Sequence, residues 1–427
     1  MPRALWGALC AMLATAAACA SPDMVLISAD TLRPDFLGAY GCPMRISPSL
    51  DRLAGQSLVF DDALCDTPLT GPSFAAMMTS LPPRATGATQ NGLPVRPDIP
   101  VVAELLRAAG YQTLCVQSTW TLKGRLCGLD RGFDVYDDHL PGKRWGVVLG
   151  ERPADEVTAA ALKLLEERNP QRPFFLWVHY IDPHAPYKTH KDFSPAGNIP
   201  HWKLPPRERV RARYASEVAF MDHHIGKLLQ ALPDDAVVLF VADHGESLYD
   251  HGYLGHGRHV YQDNLRIPLM IKSPALSPGR NNHPARGLDI APTLLGLAGL
   301  PAAPGMRGGN LLQDTPKENT PRFFETYGGA VPRVPGLRAL IAGKPTHQGV
   351  ELNVWKYILQ RDGGEELYRL TEDPGERANR LRREPETTAK LKALLRDWLD
   401  ANAPAPPAPA GLTGEDLQAL KSLGYAN

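Results

Sequence analysis

Asp30, Thr70, the adjacent pair Asp243 and His244, and the histidines His179, His184 and His256 are the residues of this chain whose types and settings could do chemistry. Two carboxylates and an imidazole are ligands for a divalent cation, and a threonine hydroxyl beside such a cation is an activated nucleophile. The cation would lower the hydroxyl pKa and neutralise an anionic ester. The three histidines could hold the substrate oxyanion or protonate the leaving oxygen. Thr70-Gly71-Pro72-Ser73 has the composition of a helix entrance, whose free N–H groups, Gly71 included, attract an anion. Taken alone, Thr70 reads as a helix cap. Taken with the other residues, it reads as the attacking group in hydrolysis of a sulfate, phosphate or phosphonate ester.

The elements that must position these groups follow from apolar patterning. Residues 24–29, 174–178 and 237–242 are continuous apolar runs of strand length, as in strands covered on both faces. The first ends on Asp30, the second on His179 and a proline-rich loop holding His184, and the third on Asp243-His244-Gly245-Glu246. Functional groups collect at the carboxyl ends of strands in open α/β sheets, which brings these segments to one edge. Gly252, Gly255 and Gly257 flank His251 and His256 in a loop suited to close ligand approach. Further strands are predicted at 58–60, 113–117 and 269–273, and helices at 101–109, 154–167, 207–232 and 289–298. Strand and helix alternate up to about residue 300, giving an α/β fold with a large, mostly parallel sheet flanked by helices. The composition then shifts to Gly and Pro. The boundaries are set at 21–333 for the catalytic unit, 334–402 for a small C-terminal subdomain and 403–427 for a Pro/Ala linker and tail. The subdomain carries strands at 337–342, 354–359 and 367–370 and a helix at 386–401.

Composition narrows the function. The chain has 427 residues, 46 basic against 46 acidic, so nothing draws it as a whole to nucleic acid. Residues 1–20 combine one positive charge, a short apolar run and an A-x-A-like end, which describes an export signal and predicts a periplasmic or extracellular protein without a transmembrane segment. A lipid anchor on Cys19 is the alternative. Beyond the leader, Cys42, Cys65, Cys115 and Cys127 suit two disulfides in an exported chain, or else four buried thiols.

The ordered motifs resemble the sulfatase family of the alkaline phosphatase superfamily. VLISADTLRPDFLGAYG (25–41) is similar to the family's first metal-binding turn, and TGPSFAAMMTS (70–80) resembles its signature C/S-x-P-S-R-x-x-L-x-T-G. FFLWVHYIDPHAPY (174–187) resembles a substrate-contacting loop, and VADHGESLYDHGYLGHG (241–257) the second metal-binding segment. The resemblance implies metal roles for Asp30, Asp243 and His244, the nucleophile position for Thr70, and substrate roles for His184, His179 and His256, the last where many sulfatases carry lysine. Leu367 to Leu370 with Asp373-Pro374 looks like the family's C-terminal subdomain. The chain departs from the pattern at four places. Sulfatases convert a Cys or Ser into formylglycine where this chain has Thr70; Phe74 replaces the signature arginine, Thr31 a second carboxylate, and Ser118-Thr119-Trp120 a Lys/His segment. The expectation is therefore a metal-dependent hydrolase of a small anionic ester, attacking through Thr70 and leaning to phosphoester chemistry. Mostly oxygen ligands favour Ca²⁺ or Mg²⁺ over Mn²⁺ or Zn²⁺, with room for a second metal. The alternative is a degenerate relative that binds an anionic glycan or phospholipid head group without turnover.

Overall fold

The computed structural model describes residues 21–140, 151–195, 203–313, 319–328, 346–409, 413–414 and 416. The leader with Cys19, the strand expected at 337–342, the boundary at 333 and most of the tail lie outside the described residues. In chain order the strands are β1 (Met24–Ala29), β2 (Leu58–Phe60), β3 (Ala63–Leu64), β4 (Gln112–Val116), β5 (Val135–Asp137), β6 (Phe174–Tyr180), β7 (Val237–Ala242) and β8 (Ser247–Leu248). They continue as β9 (Leu254–Gly255), β10 (Leu269–Lys272), β11 (Gly279–Asn281), β12 (Ala285–Arg286), β13 (Arg322–Thr326), β14 (His347–Leu352), β15 (Trp355–Gln360) and β16 (Glu365–Arg369).

Eight strands form the main sheet in the order β11-β2-β10-β7-β1-β6-β4-β5. The run from β7 to β5 is parallel, while β10 is antiparallel to both neighbours. Every residue of β1, β6 and β7 is buried, as their unbroken apolar runs require. Each buried Val, Leu or Ile side chain there contributes roughly 1.5–3 kcal/mol. Two helix groups flank the sheet. Pro48–Ala54, Ala154–Glu167 and Pro206–Ala231 pack in one, and Thr70–Thr79, Val102–Ala108 and Ile290–Leu297 in the other. Among the described residues, no helix is long and apolar enough to cross a membrane.

Register decides what the sheet presents. Ala29 at the end of β1 pairs with Tyr180 of β6 and with Ala242 of β7, so the three strands end level. The Asp30 N–H then donates to Tyr180 C=O at 2.8 Å and the Asp243 N–H to Ala29 C=O at 3.2 Å. Both carboxylates thus leave the sheet at one edge.

The small sheet runs β13-β14-β15-β16, antiparallel throughout, with helix Pro385–Ala401 packed on β14 and β15. Its own core joins Val350, Tyr357 and Leu367 to Leu391 and Leu395 of that helix. The small sheet starts earlier than expected, because Arg322–Thr326 is its edge strand and lies before residue 334. The strand His347–Leu352 is also absent from the sequence reading. Its polar start and Gly349 hide it, and that glycine is required because an added Cβ would lie 2.3 Å from the Phe324 ring. The two expected disulfides are not formed. Cys42, Cys65, Cys115 and Cys127 are buried free thiols. Cys65 Sγ faces Asn264 C=O at 3.6 Å, Cys115 Sγ accepts from Gln117, and Cys127 Sγ faces Leu122 C=O.

Candidate active site

Asp30, Thr70, Asp243 and His244 meet at the carboxyl edge of the sheet, all of them at most 1% exposed. Thr70 is the first residue of helix Thr70–Thr79, and the capping position falls on Leu69. Thr70 Oγ1 lies 3.5 Å from Asp30 Oδ2 and 3.5 Å from His244 Nε2. The helix is locked to the strand end by Ser73 Oγ, which donates to Asp243 C=O at 2.7 Å. Gly71 differs from expectation: its N–H donates to Asn91 Oδ1 at 2.8 Å, so this donor is already engaged.

Burial governs the electrostatics. Burial raises the Asp30 pKa well above the carboxylate range, reinforced by Asp243 and Glu246. The Asp243 carboxyl is pushed up to about 7, again by burial, although Oδ1 accepts N–H bonds from Thr31 and His244. Asp30 Oδ1 and Asp243 Oδ2 are buried and accept no hydrogen bond. His244 places Nδ1 2.9 Å from Gly245 C=O, so Nδ1 carries the proton and Nε2 the lone pair. One atom each from Asp30, Asp243 and His244 lie within 4.8 Å of one another. Two orphaned carboxylate oxygens and a free imidazole lone pair fit a divalent cation, which would compensate the buried negative charge.

The other three histidines surround this cluster unequally. His179 Nε2 is 3.5 Å from Asp30 Oδ2, its Nδ1 is 3.0 Å from Ser28 Oγ, and its ring packs edge-on to Phe74. His184 Nδ1 lies 2.6 Å from Ala185 C=O, and its ring centre is 5.2 Å from that of His256. His256 reaches to 4.5 Å from His244, with Nδ1 3.4 Å from Glu246 Oε1. Burial pushes His179 and His184 down to about 3, helped by His184 and His256 respectively. Both are therefore neutral at pH 7 in the free protein. With its proton on Nδ1, a neutral His184 carries no N–H on Nε2.

Sequence reasoning missed the supports. Asn91, Ser28, Glu246 and Tyr214 touch the site residues or their turn, and Thr31 adopts a left-handed φ of 53° held by its N–H to Asp243 and its C=O to Tyr214 OH. Glu246, two residues after His244, was the one with a local cue.

The sulfatase family profile matches residues 22–300, and a profile for the C-terminal part of N-sulphoglucosamine sulphohydrolase matches 249–403. The chain belongs to the sulfatase family. It is accordingly a hydrolase acting on ester bonds. A choline-sulfatase of Rhizobium meliloti is 26% identical, with 84% of this chain and 82% of the relative covered. An arylsulfatase of Clostridium perfringens is 24% identical, with 85% and 91% covered. Among solved structures, one determined in complex with its substrate D-glucosamine-2-N,6-O-disulfate superposes with a TM-score of 0.73 at 19% identity, covering 90% of this chain and 98% of that one. The phosphonate monoester hydrolase of Agrobacterium radiobacter gives 0.71 at 20%, covering 89% and 96%. These likenesses establish the alkaline-phosphatase-like fold. In this member of the family, Phe74 packs against Trp177 and His179 as an aromatic wall, at the position where the signature quoted above has arginine.

Proposed function

We propose that this sulfatase relative hydrolyses small anionic esters by direct attack of Thr70, with phosphate or phosphonate esters as the preferred class. The observation that carries this reading is the position of Thr70 Oγ1, 3.5 Å from both Asp30 and His244 in a cluster with orphaned carboxylate oxygens. Asp30, Asp243 and His244, with Thr70 itself, would hold a divalent cation, Ca²⁺ or Mg²⁺ by the oxygen-rich donor set. When bound, the cation would acidify the hydroxyl and screen the ester's charge. Thr70 Oγ1 then forms a bond to phosphorus while its proton passes toward Asp30 Oδ2. The ester P–O bond breaks opposite, and His256, its Nδ1 facing Glu246, stands to protonate the leaving oxygen. Water then attacks phospho-Thr70 and gives one proton back to His256, the P–Oγ1 bond breaks, Asp30 returns its proton to Thr70 Oγ1, and the phosphate or phosphonate product leaves. A sulfated threonine lacks the collapse to an aldehyde by which a formylglycine hydrate expels sulfate, and this favours the phosphoester class.

Acid quench during turnover of an aryl phosphodiester or phosphonate, followed by peptide mass spectrometry, should find the adduct on Thr70. Thr70→Ala should lose at least about 100-fold in kcat, and undiminished turnover in that variant would sink the reading. The absence of the signature arginine supports a second reading, in which the site binds an anionic head group or glycan without turnover. Tight binding with no product after prolonged incubation with cation would select it.

A further inference from the structure

A buried ion pair in the small sheet reaches the catalytic edge through a continuous chain of contacts. Lys356 of β15 is fully buried, and its Nζ lies 2.6 Å from Glu376 Oε1. Glu376 sits in the left-handed region at φ 51°, a conformation that a non-glycine residue adopts only when its surroundings hold it there. Its other oxygen, Oε2, accepts the Gln262 N–H at 2.6 Å. Gln262 opens the short helix Gln262–Leu265, so the carboxylate satisfies an otherwise unpaired amide of its first turn. Two residues on, Asn264 C=O accepts the Gly245 N–H at 2.8 Å. An added Cβ at Gly245 would lie 2.1 Å from Asp263 C=O, so backbone is packed on backbone there. Gly245 follows His244 and receives its Nδ1–H. The small sheet also grips the loop beside His256, where Thr326 Oγ1 donates to Gly257 C=O at 2.7 Å.

We propose that Glu376, as acceptor of the Gln262 N–H, is a positioning residue that fixes Gly245 and His244, and so sets the cation-binding geometry from the segment that follows the small sheet. Stabilising the fold alone does not require this arrangement, because a buried ion pair is often replaced by apolar residues at no loss of stability. What an apolar pair cannot replace is the acceptor for the Gln262 N–H. The inference rests on the reading of Asp30, Asp243 and His244 as the cation site, and one of its readouts does not.

Two double variants of the full chain separate the roles. Lys356→Met with Glu376→Gln discharges the pair and keeps the acceptor. Lys356→Met with Glu376→Leu discharges it and deletes the acceptor. The Gln variant should keep kcat and Mg²⁺ affinity within about twofold, while the Leu variant should lose about 10- to 100-fold in kcat with KM nearly unchanged. Mg²⁺ binding should weaken in parallel, and amide deuterium uptake should rise across residues 243–265 in the Leu variant alone. Gln262→Pro, which removes the same N–H at a helix position where proline is tolerated, should reproduce the Leu phenotype with the ion pair intact. A Leu double variant or Gln262→Pro with wild-type kcat, Mg²⁺ affinity and uptake would overturn the proposal, as would equal losses in both double variants. If the wild type neither binds Mg²⁺ nor turns over an ester, the reading of the site fails and the uptake comparison still decides the positioning role.

Discussion

Asp30 and Asp243 place two buried carboxylates against each other, and this makes function and stability pull in opposite directions. Asp30→Asn should abolish most Mg²⁺ or Ca²⁺ binding and lower kcat by at least about 100-fold. In chelator the same variant should be more stable than the wild type, by on the order of 2 kcal/mol, because the wild-type carboxyl must either keep an uncompensated buried charge or take up a proton to lose it. Calorimetry with and without cation tests both halves, and a lower Tm in chelator would refute the electrostatic account. These carboxylates were legible in the sequence because each ends an unbroken apolar run, and level strand ends then bring them together. Their roles as ligands stay proposals. Asn91 was not legible, since nothing near Gly71 in the chain announces an amide twenty residues away in sequence that will accept its N–H.

At the level of elements, the helix Thr70–Thr79 is the part on which the site turns. It is buried at every position and anchored by Ser73 to the end of β7. Asn91→Leu should therefore destabilise the protein by about 1–3 kcal/mol, the usual effect of leaving a buried N–H unpaired, with kcat altered less than by Thr70→Ala. Chemical denaturation of the purified variant measures the first, and steady-state kinetics the second. Most elements could be read from apolar periodicity, as with 154–167 and 237–242, where tertiary packing and local pattern agree. β13 and β14 could not, because a short strand in a Gly/Pro-rich region and a strand opening on His347 and Gln348 owe their form to pairing, β13 with β14 and β14 with β15. Pattern within a segment does not reveal a partner outside it.

Over the whole molecule, buried acids and buried histidines pull the response to pH in opposite directions. Burial pushes Asp66 up to about 7 against the pull of Arg286, although its Oδ2 accepts the Leu288 N–H. A folded-state pKa above the ordinary 3.8 means that the native protein binds this proton more tightly than the unfolded chain. Stability from this group is present below the unfolded pKa and is lost as pH rises toward 7. Asp243 shifts in the same direction over the same window. In the metal-free protein these two carboxyls therefore contribute a loss of stability between about pH 4 and 7, set against the gain that the depressed His179 and His184 contribute below their ordinary 6.5. Relative to the wild type, Asp66→Asn should gain stability as pH rises through that window, and saturating Mg²⁺ should offset the loss that comes through Asp243. Urea titrations across that range check the sign. The four thiols follow a separate logic: burial raises all of them, Cys127 to about 12, and holds them away from solvent. Because no cross-link joins them, reductant should leave the native fold intact, and a small alkylating agent should label them only as fast as the structure opens. The protein therefore carries its own clock for unfolding, readable by mass spectrometry without any introduced label.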